Sequence, residues 1–186
     1  MSDFQRLDLF TMPAGFRRRG GLTVQLWWLT QASLFRGSPQ IAYGFRRFLL
    51  RCFGAKIGKN VVIRPSATIT YPWNLTIGDY AWVGDDVVLY NLGEITIGDH
   101  AVVSQRSYLC AGDHDSAQVD FPIRARAIRV GKQAWVATDV FVGPGVSIGD
   151  GAIVGARSSV FKDVPGGTVN HGNPCKVVRQ RTVSAP

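Results

Sequence analysis

The sequence predicts an all-β solenoid, a parallel helix of strands wound into about five triangular coils, and three observations predict it. An aliphatic residue recurs every sixth position: Ile57, Ile63, Ile69, then Ile77, Val83, Leu89, then Ile97, Val103, Leu109, then Val130, Val136, Val142, then Ile148, Val154, Val160. The next residue is often glycine, as at 58, 78, 84, 98, 131, 143, 149 and 155, and the fifth place is often small, as at Ala67, Ala81, Ala101, Ser107, Ala134, Ala152 and Ser158. The heads also fall into groups of three, and a short fixed period of this kind marks a stacked repeat.

Each observation has a physical cause. A strand alternates its faces, so a short strand and a corner repeated every six residues turn one branched side chain inward per flat face. Glycine is expected at the corner because it takes positive φ without a Cβ clash. The first heads of successive groups are 20, 20, 33 and 18 residues apart, so one junction carries a true insertion. With ~4.8 Å per stacked strand, five coils make a prism roughly 24 Å long. Its ends have no neighbouring coil and need a cover.

Residues 1–54 are expected to supply one cover as a helical cap, followed by the β-helix over 55–168 with its loop at 110–129 and a C-terminal tail over 169–186. Leu22, Leu26, Trp28, Leu29 and Phe35 recur at loosely helical spacing. Ser38 and Pro39 open a second helix that Gly54 ends. In that helix Ile41, Phe45, Phe48, Leu49 and Cys52 share a face, while Arg46, Arg47 and Arg51 lie mainly towards the other. The apolar face is expected to pack on the open base of the prism, and a basic amphipathic element can also rest on a membrane surface.

Composition limits the function classes. The 186 residues are 46% hydrophobic, enough for one main domain with a continuous interior. Cys52, Cys110 and Cys175 have no paired spacing, which argues against a disulfide framework or zinc knuckle and for a reducing compartment. Neither a membrane span nor a signal sequence is evident, so a cytosolic location is expected. The net charge of +8 suits phosphorylated ligands or anionic headgroups. Nucleic acid is disfavoured, because no binding motif accompanies the charge.

The insertion is the place to seek chemistry, since long loops on rigid scaffolds often carry function. Between Leu109 and Val130 it presents Cys110, Ala111, Gly112, Asp113, His114, Asp115 and Ser116. A histidine, with an ordinary pKa near ~6.5, can take a proton from a hydroxyl at neutral pH, and an adjacent carboxylate can orient its ring.

These hexads resemble the left-handed β-helix acetyltransferases. The likeness rests on the Gly-x-His loop, Ala134-Trp135-Val136, the run from Val142 to Gly149, Val154-Gly155-Ala156, Lys162-Asp163-Val164-Pro165 and Gly172-Asn173-Pro174-Cys175-Lys176-Val177. The runs Val24 to Trp28 and Phe48 to Lys59, with Tyr71-Pro72-Trp73, look like the colanic acid biosynthesis branch, which belongs to exopolysaccharide assembly. Left-handedness comes from this resemblance alone, because ordinary parallel crossovers are right-handed.

The resemblance implies an acetyl-CoA-dependent O-acetyltransferase acting on a sugar hydroxyl, without a metal. It makes His114 the general base, with Asp115 beside it in place of a proline common there. Asn91, Tyr90 and Asp113 are the candidate acceptor contacts, although the spacing at Tyr90-Asn91 differs by a residue, and Asn91 could instead serve a corner. Trp135, Ala137, Gly155, Ala156 and Lys176 would receive the pantetheine arm and phosphates of the donor. Relatives are usually homotrimers in which one subunit's loop reaches another. The acceptor would be a nucleotide sugar or a lipid-linked oligosaccharide, the latter met at the inner face of the membrane. A silent assembly scaffold and transfer to another small acceptor are the alternatives. A zinc enzyme on this scaffold needs three converging histidines, and His100, His114 and His171 are not placed for that.

Overall fold

Along the flat faces the amide of one coil donates to the carbonyl of the next, as from Gly58 to Ile77 and from Gly78 to Ile97, while at the corners the sense reverses, as from Tyr80 to Lys59 and from His100 to Asp79. In the computed structural model, which describes residues 4–184, this stacking builds three flat faces. The first holds Lys56–Ile57, Leu75–Ile77, Ile95–Ile97, Ile128–Val130 and Ser147–Ile148. The second holds Val62–Ile63, Trp82–Val83, Val102–Val103, Trp135–Val136 and Ile153–Val154, and the third Thr68–Ile69, Val88–Tyr90, Tyr108–Cys110, Phe141–Val142 and Ser159–Val160. Strands pair head on head, Ile57 with Ile77, Ile97 and onward to Val130 and Ile148. All fifteen heads are buried, none more than 8% exposed, so the six-residue rhythm is the core itself.

The rhythm continues past residue 168, where the tail was expected to begin. Val164 bridges to Ile148 and Asn170 pairs with Val154, giving a sixth, incomplete coil. Thr168–His171 extends the second face, and Lys176–Gln180 returns along it antiparallel.

The corner glycines serve a different purpose from the one expected. Positive φ falls two residues later, at Asn60, Tyr80, His100 and Gln133. What Gly78 permits is close approach, because a Cβ there would lie 2.6 Å from the Asp99 amide nitrogen. The following aspartate uses that closeness: Oδ1 of Asp79, Asp99 and Asp150 accepts from the amides of Lys59, Asp79 and Lys132 at 2.7, 2.9 and 2.8 Å. A Gly-Asp pair thus locks one corner to the next.

The cap follows from the direction of the ladder. First-coil carbonyls have no coil beneath to donate to them, and a buried carbonyl without a donor is costly. Helix α1 (Gly21–Thr30) continues through a π-helical turn at Gln31–Phe35, and α2 (Tyr43–Cys52) lies against the first coil. Trp27 Nε1 donates to the Ile69 carbonyl at 2.8 Å. Arg46 donates to Ile63 at 2.7 Å, Arg47 to Val61 at 2.8 Å, and Arg51 to Ile57 and Gly58 at 2.7 and 2.9 Å.

The expected orientation of α2 is therefore reversed. Its arginine face meets the prism and Arg46 is fully buried, whereas Ile41, Phe45 and Phe48 turn outward at 85, 41 and 58% exposure. Leu49 alone of the five apolar-face residues is buried. In α1 the inward residues are Val24 and Trp27, and Leu22, Leu26, Trp28 and Leu29 are exposed. Amphipathic spacing located the face correctly but not its partner, since the prism base presents carbonyl oxygens as well as apolar surface.

Candidate active site

The insertion folds into a hairpin that rises from the corner between the third and first faces. Gly112–His114 pairs antiparallel with Ile123–Ala125, Asp113 opposite Arg124 and His114 opposite Ile123. Asp115 ties the tip, accepting from the Ala117 amide at 3.1 Å and Gln118 Nε2 at 3.1 Å, and Phe121 takes a positive φ of 48°. Beside the tip, the Arg6 amide donates to the Val119 carbonyl at 2.6 Å.

His114 is clamped by this tip and partly exposed. Its ring stacks on Phe121 with centroids 4.4 Å apart, and Phe10 stands 6.0 Å away. Nδ1 lies 2.8 Å from the Phe121 carbonyl oxygen. A carbonyl only accepts, so this contact assigns the proton to Nδ1 and leaves Nε2 with its lone pair. The orienting group is thus a backbone carbonyl rather than Asp115. Asp115 has its carboxylate on the tip and 3.4 Å from Arg124, which makes it a positioning residue for the hairpin.

Asp113 is also engaged. Arg124 holds it at 3.1 Å and Arg126 contacts its other oxygen. Desolvation alone would raise its carboxyl, but the two guanidinium groups together outweigh that and hold it below its ordinary value. Behind the hairpin, burial pushes up the Cys110 thiol, which donates to the Gly112 carbonyl at 3.1 Å.

Asn91 and Tyr90 sit one coil below the hairpin. Asn91 is fully buried, its Oδ1 accepting from the Thr70 and Tyr71 amides at 3.0 and 2.9 Å and its Nδ2 donating to the Tyr71 carbonyl at 2.6 Å. That is the corner role. Tyr90 packs near Tyr108, with centroids 6.2 Å apart, and burial raises its hydroxyl.

Four of the expected donor-binding residues meet in one groove. Trp135, Ala137, Gly155 and Ala156 line it with Ser104, Gln105, Thr138 and Ile153, enclosing about 360 Å³ at the corner between the second and third faces. Trp135 Nε1 donates to Ser104 Oγ at 2.9 Å, setting the ring as a wall. Lys176 is exposed at the start of the last strand of the second face, beyond the residues lining the groove.

Next to this groove, sharing Ser104, Gln105 and Trp135, lies a cavity of about 540 Å³ that the sequence reading missed. Trp82 and Trp135 both pair with Val102, so two indoles flank a slot two strand spacings wide, roughly 9.6 Å. Tyr43 and the Arg64–Asp85 ion pair, at 2.8 Å, line it further. The available signal was the hexad itself, since Trp82 and Trp135 precede inward heads and must point outward.

His114 and the groove therefore lie on two different edges of the prism. His114 belongs to the corner between the third and first faces, and the groove to the corner between the second and third. Among the described residues, none of the three cavities includes His114.

No protein-family model matches the chain. Over 177 residues it is 63% identical to the Escherichia coli K12 protein named "Putative colanic acid biosynthesis acetyltransferase WcaF", spanning 95% of this chain and 97% of that one. It is 29% identical over 143 residues to the galactoside O-acetyltransferase of the same organism, covering 73% of this chain and 68% of the other. Among solved structures, galactoside acetyltransferase in complex with coenzyme A superposes with a TM-score of 0.81 at 25% identity, over 98% of this chain and 92% of that one. A maltose O-acetyltransferase from Clostridium difficile superposes at 0.79 and 24% identity, over 88% and 90%, and so shares the fold.

The chain belongs to the hexapeptide-repeat acetyltransferases of left-handed β-helix fold. Within that family it groups with the colanic acid biosynthesis branch, as the N-terminal motifs implied.

Proposed function

We propose that this protein transfers acetyl from acetyl-CoA to a carbohydrate hydroxyl during exopolysaccharide assembly, with His114 as general base, in a site closed between copies of the chain. The observation that carries the proposal is the clamp on His114: Phe121 O engages Nδ1–H, which leaves the lone pair of Nε2 to act as the base. The acceptor hydroxyl gives its proton to Nε2 as its oxygen attacks the thioester carbonyl. The tetrahedral intermediate collapses, the C–S bond breaks, and the departing thiolate takes the proton back from Nε2. Backbone amides near the loop hold the developing oxyanion.

The 360 Å³ groove suits an extended pantetheine arm because Gly155, Ala156 and Ala137 let it approach the backbone beside Trp135. Lys176 meets the donor's phosphates. The adjoining slot between Trp82 and Trp135 takes the acceptor, whose pyranose faces suit indole walls and whose hydroxyls find Arg64 and Asp85. Asp113 acts by holding the hairpin through its two arginines. Since base and groove occupy different edges of one prism, three copies around an axis bring the loop of one to the groove of the next. The reaction runs in the cytosol, at the inner face of the membrane where the acceptor is lipid-linked.

The experiment uses two variants. His114→Ala should keep its oligomeric mass and lose at least ~100-fold in labelled-acetate transfer to extracted lipid-linked oligosaccharides or nucleotide sugars. Ala156→Trp, at an exposed position lining the groove, should fill it and be inactive for a different reason. Co-assembled in equal amounts, they should recover about a quarter of the wild-type sites, because half the loops and half the grooves are intact and pair at random. Unchanged turnover in His114→Ala excludes it as the base. No recovery in verified mixed oligomers excludes the shared site.

A further inference from the structure

We infer that the outward face of the helical cap is a docking surface for an anionic lipid bilayer, which it enters by an apolar stripe at the cationic end of the molecule. The inference rests on the cap alone, and it bears on the proposed reaction only by placing the enzyme where a lipid-linked acceptor resides.

The first observation is the reversal of α2. Arg46, Arg47 and Arg51 are drawn inward by first-coil carbonyls, so the opposite face must look away from the prism. That face carries Phe45, Phe48 and Cys52, spaced i, i+3 and i+7, and Ile41 in the turn just before the helix is exposed as well. Leu22, Leu26 and Leu29 form a second exposed stripe on α1. Seven exposed large apolar side chains on so short a cap (Leu22, Leu26, Trp28, Leu29, Ile41, Phe45 and Phe48) mark a candidate interaction site.

The second observation selects the occupant. Between Asp8 and Asp79 the sequence holds ten cationic side chains, eight Arg with Lys56 and Lys59, and no acidic residue. The chain as a whole carries +8, so the remainder nets −2 and the cap end of the molecule holds the excess. Of these ten, Arg46, Arg47 and Arg51 turn to first-coil carbonyls and, among the described residues, Arg18 and Arg64 meet Glu94 and Asp85, which leaves Arg17, Arg19, Arg36, Lys56 and Lys59 to answer an anionic surface. A second copy docked cap to cap would set like charges against each other. Exposed apolar side chains at the end of the molecule that holds the cationic excess suit an interface of acyl chains and anionic headgroups. In a cyclic assembly with parallel prisms, all caps face one plane, and several weak insertions act as one strong attachment.

The test floats the full-length protein with vesicles of phosphatidylcholine containing about 30% phosphatidylglycerol, and with phosphatidylcholine alone. The protein should rise with the anionic vesicles, at least ~10-fold less with the neutral ones, and less as salt goes from ~0.1 to ~0.5 M. The combined variant Ile41→Ser, Phe45→Ser, Phe48→Ser should lose at least ~10-fold in partitioning while keeping its melting temperature and oligomeric mass. Should that variant misfold, Arg17→Gln with Arg19→Gln tests the charge half, and should lower partitioning with the stripe intact. Wild-type protein that stays in solution with anionic vesicles overturns the inference. So does equal flotation on both vesicle types, or a Ser variant that dissociates into monomers, which would make the stripe a subunit contact. The assay holds neither acetyl-CoA nor acceptor, so its failure leaves the transferase reading standing, and failed acetyl transfer leaves docking standing.

Discussion

Arg46 offers the sharpest test of why the cap is built as it is. Its guanidinium is fully buried without a carboxylate partner and donates to the Ile63 carbonyl at 2.7 Å, Ser38 Oγ at 2.7 Å, Pro39 at 2.9 Å and Gln40 at 2.6 Å. Burial pulls its pKa down, and the like charge of Arg64 adds to that, yet a guanidinium stays protonated in proteins. Arg46→Met keeps most of the apolar stem and removes every donor. The Ile63 carbonyl is then buried and orphaned, while those of Pro39 and Gln40 are partly buried and can recruit water. One full and two partial losses amount to about 2–4 kcal/mol. For a chain of this size that is roughly 5–15 °C in melting temperature. Thermal and urea unfolding of Arg46→Met should show this loss, while Arg36→Met, which removes an exposed contact to Thr68 Oγ1, should change stability by less than ~0.5 kcal/mol. If Arg46→Met were as stable as the parent, the carbonyl-capping account would be wrong and the helix would be held by its apolar contacts alone.

Other outcomes follow from the same geometry. Gly78→Ala should cost about 2–3 kcal/mol because the new Cβ must push apart two coils that stack rigidly, whereas Gly21→Ala, with open space around it, should be neutral or mildly stabilising in the same unfolding assay. Asp113 has a folded pKa below its unfolded value, so its contribution to the hairpin is complete above the ordinary carboxylate value near ~4 and is lost as pH falls through the folded value. Amide exchange at Asp113 and His114 should therefore differ between wild type and Asp113→Asn at pH 7 and converge in acid; a constant difference would refute the ion-pair account. Trp135→Ala removes a groove wall and should raise the KM for acetyl-CoA about 10-fold with a smaller effect on kcat, as steady-state kinetics would show.

Much of the site was legible from spacing because the scaffold is periodic. Once Val136 and Val154 are inward heads, Trp135 must point out, and Ala137, Gly155 and Ala156 must turn the same corner one coil apart, so spacing explains why residues that the family resemblance named share one groove. Tyr90 and Asn91 show the limit of that reasoning. Asn91 occupies a corner whose polar groups are consumed by the backbone of the preceding coil, and spacing does not report who satisfies a hydrogen bond. Asp115 was placed beside His114 by adjacency, yet neighbours on a strand point to opposite faces, and a hairpin tip supplied the carbonyl instead.

The sequence by itself determined the triangular cross-section, the stacking order, the site of the insertion and the histidine within it, because all four are encoded in short-range repetition and its one interruption. Tertiary structure decided which face of α2 meets the prism, which nitrogen of His114 is left basic, and that two tryptophans enclose a second cavity. Those depend on groups distant in the chain, orphaned carbonyls of the first coil, a carbonyl seven residues past the histidine, and a register across three coils. Periodicity says where a side chain points, and only the assembled fold says what it meets there.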